Sequence, residues 1–563
     1  MHPMTESGYV PSEKPGCGAS HPHSPAADMI VTGANVWTGN PSQPEAQAVA
    51  ILGGRIVAVG SDEAVLPWKG PRTRQIRAMG RLLLPGFNDA HVHFVDGGLH
   101  LDEVELKDAD SAAQFERRVR IQAESTPHGE WILGGGWDEL SWDRPVLPTR
   151  QIIDPLTQEF PVLLYRCDLH TALANSLALQ LAGVNAQTPD PPGGEIVRDN
   201  QGLPTGILKD AAINIVAAVI PPLTPARRLR AVRRALEHAA SLGVTSVQHM
   251  NPSEADISLY MELAERGELT TRISAVPLVT TWSERGKVGI RHGFGSHLLR
   301  LGALKGFTDG SLGSATAFFF EPYKDLPETC GLLTDEMQPR SAILQRMLEA
   351  DRAGMQLCQH AIGDRAVALT LDLFEEIARA NGAGDRRFRI EHAQHVGAAD
   401  FPRFGPLDVI ASVQPYHAID DGRWAERRLG AERLQTSYPY KSFLQHGVRL
   451  ALGTDWYVAP LNPMLTLHAA ATRATLDGRH PDGWVPGQML TMAEAVSAYT
   501  MGSAYAEFQD REKGSIALGK LADMVLLNED IFHMEPARVR DVTVEATIMG
   551  GRIVYQSPGA EPD

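Results

Sequence analysis

At 563 residues the chain is several times the usual single-domain size, so it can bury a large core and carry smaller appendages. Its 52 Lys and Arg stand against 68 Asp and Glu, a formal net charge of −16, and no basic cluster is dense enough to neutralise phosphates; nucleic acid and anionic membrane are excluded as main partners. The four cysteines, Cys17, Cys167, Cys330 and Cys358, lie far apart without CxxC spacing, which argues against a disulfide scaffold or thiolate metal site and for a reducing cytoplasm.

Residues 1–28 have neither a basic segment followed by an apolar one nor a strand pattern, and read as an untargeted flexible leader. Its His21 and His23 are one residue apart, but Pro, Ser and Gly surround them and disorder accounts for them better than ligation. No later stretch reaches the roughly 18 apolar residues of a membrane span. Residues 29–84 alternate short apolar runs with turns, among them the pair Gly53-Gly54, and residues 513–556 show the same alternation, with "ILGGRIVAVG" near one end resembling "IMGGRIVYQS" near the other. Neither piece is large enough to bury a core alone. Together they predict one small β-sandwich built from both chain ends, followed by a short tail at 557–563.

Between 85 and 512, amphipathic helical patterns ending near Gly alternate with short apolar runs, the signature of βα repetition around a parallel sheet. Polar residues recur at the ends of those runs: His91 and His93, His249, Lys305, His360, His392, Gln414 and Asp455. An open sheet would spread them in a row, whereas a closed (β/α)8 barrel of the TIM type gathers them on one rim. The fold class expected is therefore α/β, a barrel with the terminal sandwich. Residues from about 97 to 235 fit the repeat poorly and read as an insertion near the barrel mouth.

His91 and His93 are two apart, so on a strand they point the same way and can hold one metal jointly. One such pair is as readily two hydrogen-bonded rim histidines. With His360, His392 and Asp455 each ending a different predicted strand, the set becomes four imidazoles and a carboxylate, which suits Zn²⁺ or another borderline divalent ion. Asp455 is expected to serve both as ligand and as proton shuttle, with helix capping as the plainer alternative. His170, in "RCDLHTALANS", either polarises a substrate carbonyl or simply packs. Trp137 and Asp138 in "GGGWDE" read as pocket wall, Asp309 as a group orienting Lys305 or substrate, and Gln414 with His417 as substrate contacts, although the turn before Pro415 explains Gln414 nearly as well. For His249 a structural rim role is favoured.

The stretches "PGFNDAHVHF", "LKGFTDGSLGSATA", "HAIGD", "EHAQ" and "LGTDWYVAPLNP", framed by "GGRIVAVG" and "LADMVLL", resemble the amidohydrolase superfamily over about residues 29–556. "DGSLGSATA", "GWDE" and "HTALANSLAL" point to its YtcJ-like branch, which includes N-substituted formamide deformylases. The resemblance implies a metal-dependent hydrolase in which the strand 1 pair falls on His91 and His93, the strand 5 and 6 histidines on His360 and His392, and the strand 8 aspartate on Asp455. Asn88 departs from the frequent Ile or Val of "PGFxDxHxH". Lys305 falls where many members carry a carboxylated lysine: an ammonium is repelled by divalent ions, while a carbamate offers two anionic oxygens to metals about 3.5–4 Å apart. A lysine paired with Asp309 beside a single metal is the alternative. The function expected is cleavage of a C–N bond in a small amide, N-formyl compound or carbamate by metal-activated hydroxide. One or two ions are expected, Zn²⁺ first, with Mn²⁺, Co²⁺ or Fe²⁺ as other choices; the partner is a small-molecule substrate, and a homodimer is allowed. Deamination, or ester or carbamate hydrolysis of a xenobiotic on the same metals, is the rival chemistry. A non-catalytic scaffold predicts lost ligands, and none is missing.

Overall fold

Two glycine pairs set the hairpins at which the chain ends meet. Gly53 and Gly54 have φ of +59° and +76°, and Gly550 and Gly551 have +56° and +73°, the left-handed conformations that a two-residue hairpin turn demands. The structure, a computed structural model, describes residues 26–139, 142–166 and 171–558. In it the two turns lie against each other: a Cβ on Gly54 would stand 3.0 Å from the Gly550 carbonyl oxygen, and one on Gly551 2.9 Å from Ile51 Cγ2. The first hairpin belongs to a four-stranded sheet ordered Arg55–Gly60, Ala48–Leu52, Met29–Thr32, Arg74–Arg77. The second belongs to a six-stranded sheet in which Leu82–Pro85 pairs antiparallel with Met524–Leu527. One apolar cluster draws on both sheets and both chain ends through Val31, Val49, Ile51, Leu83, Met524 and Ile548.

Eight parallel strands carry the middle of the chain: β1 (Phe87–Val92), β2 (Val244–Met250), β3 (Arg272–Val276), β4 (Leu304–Phe307), β5 (Leu357–Ala361), β6 (Arg389–His392), β7 (Ile410–Val413) and β8 (Leu450–Leu452). Their ladders form two arcs, β1 to β3 and β4 to β8. Single parallel bridges join the arcs at both ends. At one seam Leu278 pairs with Lys305, and the Lys305 amide donates to the Pro277 carbonyl at 2.8 Å. At the other Val92 pairs with Trp456; the Asp455 amide donates to the His91 carbonyl at 2.7 Å and the His93 amide to that of Trp456 at 2.6 Å. This second seam needs Gly453, where a Cβ would stand 2.6 Å from the His91 nitrogen. Buried Asp89 locks it, accepting from the amides of His91 and Thr454 at 3.1 and 3.0 Å and from the hydroxyls of Thr454 and Tyr499 at 2.8 Å each.

The expected helices stand between these strands, at Pro225–Ser241, Arg340–Arg352 and Asp364–Asn381 among others, and lay apolar faces such as Val232, Leu236 and Ala239 or Leu371, Phe374 and Ile377 into the main core. The inserted region is a six-stranded sheet of its own, ordered Gly194–Arg198, Pro204–Asp210, Thr171–Ala174, Val162–Arg166, Ile132–Trp137, Val104–Glu105, with separate apolar clusters. It ends at Asp210. The helix Pro225–Ser241 packs on Phe94–His100 as part of the βα alternation, so the boundary expected near residue 235 falls inside a helix. Among the described residues no helix is long and apolar enough to cross a membrane.

Candidate metal centre

His91, His93, Lys305, His360, His392, His417 and Asp455 come from β1, the residue after it, β4, β5, β6, the segment after β7 and the segment after β8, and all line one cavity of about 420 Å³. Asp455 is its hub. Its Oδ1 lies 3.5 Å from His91 Nε2 and 3.2 Å from His93 Nε2, and its Oδ2 lies 3.8 Å from His417 Nε2. Two groups of three potential ligands share it, His91 with His93 and His392 with His417, each with ligand atoms within 4.8 Å of one another. The His392 ring stands 4.9 Å from that of His91 and 4.5 Å from that of His360, whose Nε2 is 3.1 Å from the Gly310 carbonyl.

Backbone conformation aims two of these side chains. His392 has φ +74° and Asp455 φ +61°, values that residues other than glycine adopt at a cost of order 1–3 kcal/mol, usually where function needs them. On a regular strand neighbours point to opposite faces, yet Glu391 and His392 both reach His91.

A supporting layer fixes which nitrogens face the cavity. His91 Nδ1 donates to Glu391 Oε2 at 2.6 Å, and the other Glu391 oxygen accepts from Arg389 Nε at 2.8 Å and Cys358 Sγ at 3.0 Å. His392 Nδ1 donates to Gln414 Oε1 at 2.9 Å. In each ring Nε2 is thereby left as the lone-pair nitrogen, the arrangement found around metal-binding histidines. Burial, reinforced by Lys305, pushes His91 down to about 4 and His360 to about 3, and burial with its neighbouring imidazoles holds His392 well below the usual range; all three are neutral at pH 7. Burial pushes the Asp455 carboxyl up, but His91, His93 and His417 outweigh it and keep it ionised. The donor set fits a divalent ion: Asp455 Oδ1 and His417 Nε2 are buried without a hydrogen bond of good geometry, and imidazole nitrogens and carboxylate oxygens converge on the same space.

Several expected contacts are corrected. Asp309 makes no hydrogen bond or ion pair to Lys305 among the described residues: it accepts backbone N–H groups from Phe318 at 2.8 Å, Ile362 at 3.0 Å and Gly363 at 2.8 Å, its Oδ1 lies 3.5 Å from His360 Nε2, and it does not line the cavity. Lys305 is buried, and its Nζ has no ion pair or hydrogen bond among the described residues; it sits 5.2 Å from the centre of the Phe307 ring. Gln414, 2% exposed, aims His392 instead of touching the cavity. Trp137 is no pocket wall either. It is fully buried in the inserted sheet beside Phe115, at the end of a strand where Gly135 lets Tyr165 approach so closely that a Cβ would meet its carbonyl oxygen at 2.0 Å. Asp138 accepts from Arg166 at 2.9 Å outside the cavity lining, and His170 lies outside the described residues. His249 is structural, with Nδ1 2.9 Å from the Tyr260 hydroxyl. Sequence reasoning missed Asp89, Arg389 and Glu391; the signal for the last two was "RIE", two opposite charges at strand spacing inside an apolar run.

A model of the amidohydrolase family matches residues 75–555. The chain is 38% identical over 543 residues to Protein LONG AFTER FAR-RED 3 of Arabidopsis thaliana, covering 94% of this chain and 92% of that one. It is 31% identical over 522 residues to the putative amidohydrolase YtcJ of Bacillus subtilis (strain 168), covering 91% and 96%. It is 26% identical over 551 residues to the N-substituted formamide deformylase of Arthrobacter pascens, covering 95% and 99%. The crystal structure of an uncharacterized metal-dependent hydrolase from Pyrococcus horikoshii OT3 superposes with a TM-score of 0.74 at 28% identity, covering 90% of this chain and 99% of that one. With a family match across most of its length, the chain belongs to the amidohydrolase family, on its YtcJ-like side, as a metal-dependent hydrolase.

Proposed function

We propose that the chain hydrolyses the C–N bond of a small amide, N-formyl compound or carbamate in the cytoplasm. The observation that carries the reading is the buried, ionised Asp455 shared between two groups of imidazoles at the floor of a cavity sized for a small molecule. In this reading the two arcs form one (β/α)8 barrel over residues 85–512, and the terminal sheets, 29–84 and 513–556, form its sandwich.

His91, His93, His392 and Asp455, with His417 as an added candidate ligand, would hold one or two divalent ions, zinc first, and His360, which lines the same cavity, would join them. A bound ion supplies Lewis acidity toward a carbonyl and toward water. Lys305 completes the set as a carbamate: its neutral amine attacks CO₂, an N–C bond forms and a proton leaves. The absence of a carboxylate partner among the described residues supports this over the Asp309-paired alternative. Asp455 takes the proton of the attacking water on a carboxylate oxygen and delivers it to the departing nitrogen, whose C–N bond breaks as the proton arrives. Neutral His417, 3.8 Å away, leaves that oxygen available.

The test is a panel of N-formyl amines, N-acyl amino acids, aryl amides and carbamates assayed with zinc- or manganese-loaded protein, with metal measured per chain. Turnover in at least one class, lost in Asp455→Asn protein that keeps its metal, is the expected outcome. Protein that binds no divalent ion, or an Asp455→Asn variant with wild-type turnover, would overturn it.

A further inference from the structure

The cavity has a recognition wall that none of the groups above accounts for. His417 and Asp421 lie four residues apart on the helix Pro415–Asp421, so Asp421 sits one turn beyond the imidazole facing Asp455. Its Oδ2 accepts the hydroxyl of buried Tyr438 at 2.5 Å, and its Oδ1 has no hydrogen bond among the described residues. Tyr438 is itself anchored: its amide donates to the Gln394 carbonyl and its carbonyl accepts from Arg473 at 3.1 Å. The side chain of Gln394 lines the same cavity, is 4% exposed, and its Oε1 is buried without a partner. Trp424 adds an aromatic face, held by its amide donating to the Asp421 carbonyl at 2.9 Å.

The wall thus presents a carboxylate oxygen that has no hydrogen bond among the described residues, beside an indole ring. Among the described residues, Lys305 at the metal end is the one Lys or Arg that lines the cavity, and the neighbouring Asp420 already has Arg423. A group bringing N–H donors and a positive charge pairs with that Asp421 oxygen and lies against the ring at once. A carboxylate in the same place would meet Asp421 with like charge and no donor. Burial pushes the Asp421 carboxyl up to about 7 against the pull of Tyr438, the strain that a neighbouring cation relieves.

We propose that Asp421, Gln394 and Trp424 form a specificity wall that selects substrates bearing a protonated amine, aminoalkyl amides or formamides, over N-acyl amino acids. The proposal rests on the hydrolase reading of the cavity, and its test is chosen so that the two can fail separately. The probes are N-alkyl methanesulfonamides, which present a sulfonyl in place of the carbonyl and are not hydrolysed, with four-carbon chains ending in ammonium, methyl or carboxylate. Their binding to the metal-loaded enzyme is read by calorimetry. We expect the ammonium probe to bind about tenfold or more tighter than the methyl probe, with the carboxylate probe weakest. In Asp421→Asn the ammonium-to-methyl ratio falls to about threefold or less, and Trp424→Leu lowers it as well; Tyr438→Phe, which leaves the carboxylate in place, lowers it by less. Should Asp421→Asn fail to fold, Trp424→Leu and Tyr438→Phe carry the test. Equal binding of ammonium and carboxylate probes, or a ratio that survives both Asp421→Asn and Trp424→Leu, overturns the wall. An intact ratio with no turnover of any amide overturns the hydrolase reading alone.

Discussion

Glu391 accepts the Nδ1–H of His91 at 2.6 Å with both groups fully buried, and this one contact decides which nitrogen of His91 faces the cavity. The same carboxylate neutralises Arg389, which is 1% exposed and also donates to the Ala90 carbonyl and Ser412.

Glu391→Gln therefore removes the charge that orients the ligand and leaves a buried guanidinium short of its partner. We expect metal affinity to fall by about 10–100-fold, and stability to drop by about 3–5 kcal/mol. Titration with a metal buffer and urea unfolding check the two effects separately; unchanged affinity would show that His91 is oriented by something else.

Lys305→Ala tests the carbamate. A bridging anion lost from the centre predicts a fall from two ions per chain to one, with turnover reduced by at least about 100-fold. Metal analysis of the purified variant is the measurement. Two ions per chain and full turnover in Lys305→Ala would exclude the bridge.

Gly453→Ala places a methyl group 2.6 Å from the His91 nitrogen and 2.9 Å from Asp89 Oδ1, across the seam between β1 and β8. The two strands must part to admit it, a destabilisation of about 3 kcal/mol at the upper end of the usual overpacking range. Because both segments that carry candidate ligands border the seam, metal affinity should fall with stability. A variant as stable as the parent would mean that the seam tolerates a side chain there and does not fix the two segments.

The metal-free protein should lose stability as pH falls from about 6.5 toward 4. Burial holds His249, His360 and His395 at about 3 and His91 at about 4, and keeps His392 well below its usual value, so across this window these imidazoles take up protons only on unfolding. Stability contributed by neutral imidazoles is present above the unfolded value and is lost on the way down. Asp89, Asp309 and Asp421, raised by burial to about 7, act oppositely: each is protonated in the fold across the same window and its contribution is lost as pH rises through 7. The imidazoles outnumber the carboxyls, giving a slope of about 1–3 kcal/mol per pH unit at its steepest. Urea midpoints of chelator-treated protein between pH 4 and 7 measure it; a flat profile would contradict the neutral histidines.

Much of the centre was readable from residue type and position. His91, His93, Lys305, His360, His392 and Asp455 each follow or end an apolar run, and βα repetition places such ends on a common rim. What could not be read was sidedness. Gln414 and Asp309 have the right chemistry in the right region, but whether a side chain meets substrate, another ligand or a backbone amide depends on which strand end lies beside it. Trp137 was misread for a related reason: "GGGW" looks like a loop by composition, whereas Gly134, Gly135 and Gly136 form a strand at positive φ that buries the indole within the inserted sheet. Glu391 escaped because His91, its partner, is 300 residues away.

The antiparallel ladder of Leu82–Pro85 with Met524–Leu527 has a consequence for biosynthesis. The strand that leads directly into His91 and His93 is made long before its neighbour in the sheet, since Pro85 pairs with Met524. The two glycine turns that lie against each other belong to the same late event. A nascent chain can thus assemble its helices and inner strands early, but the frame behind His91 and His93 is completed only once residues 524–527 have emerged. A truncation before residue 513 would strand an apolar edge immediately behind His91 and His93, so a damaged message yields a chain that is exposed to degradation instead of one that is merely inactive.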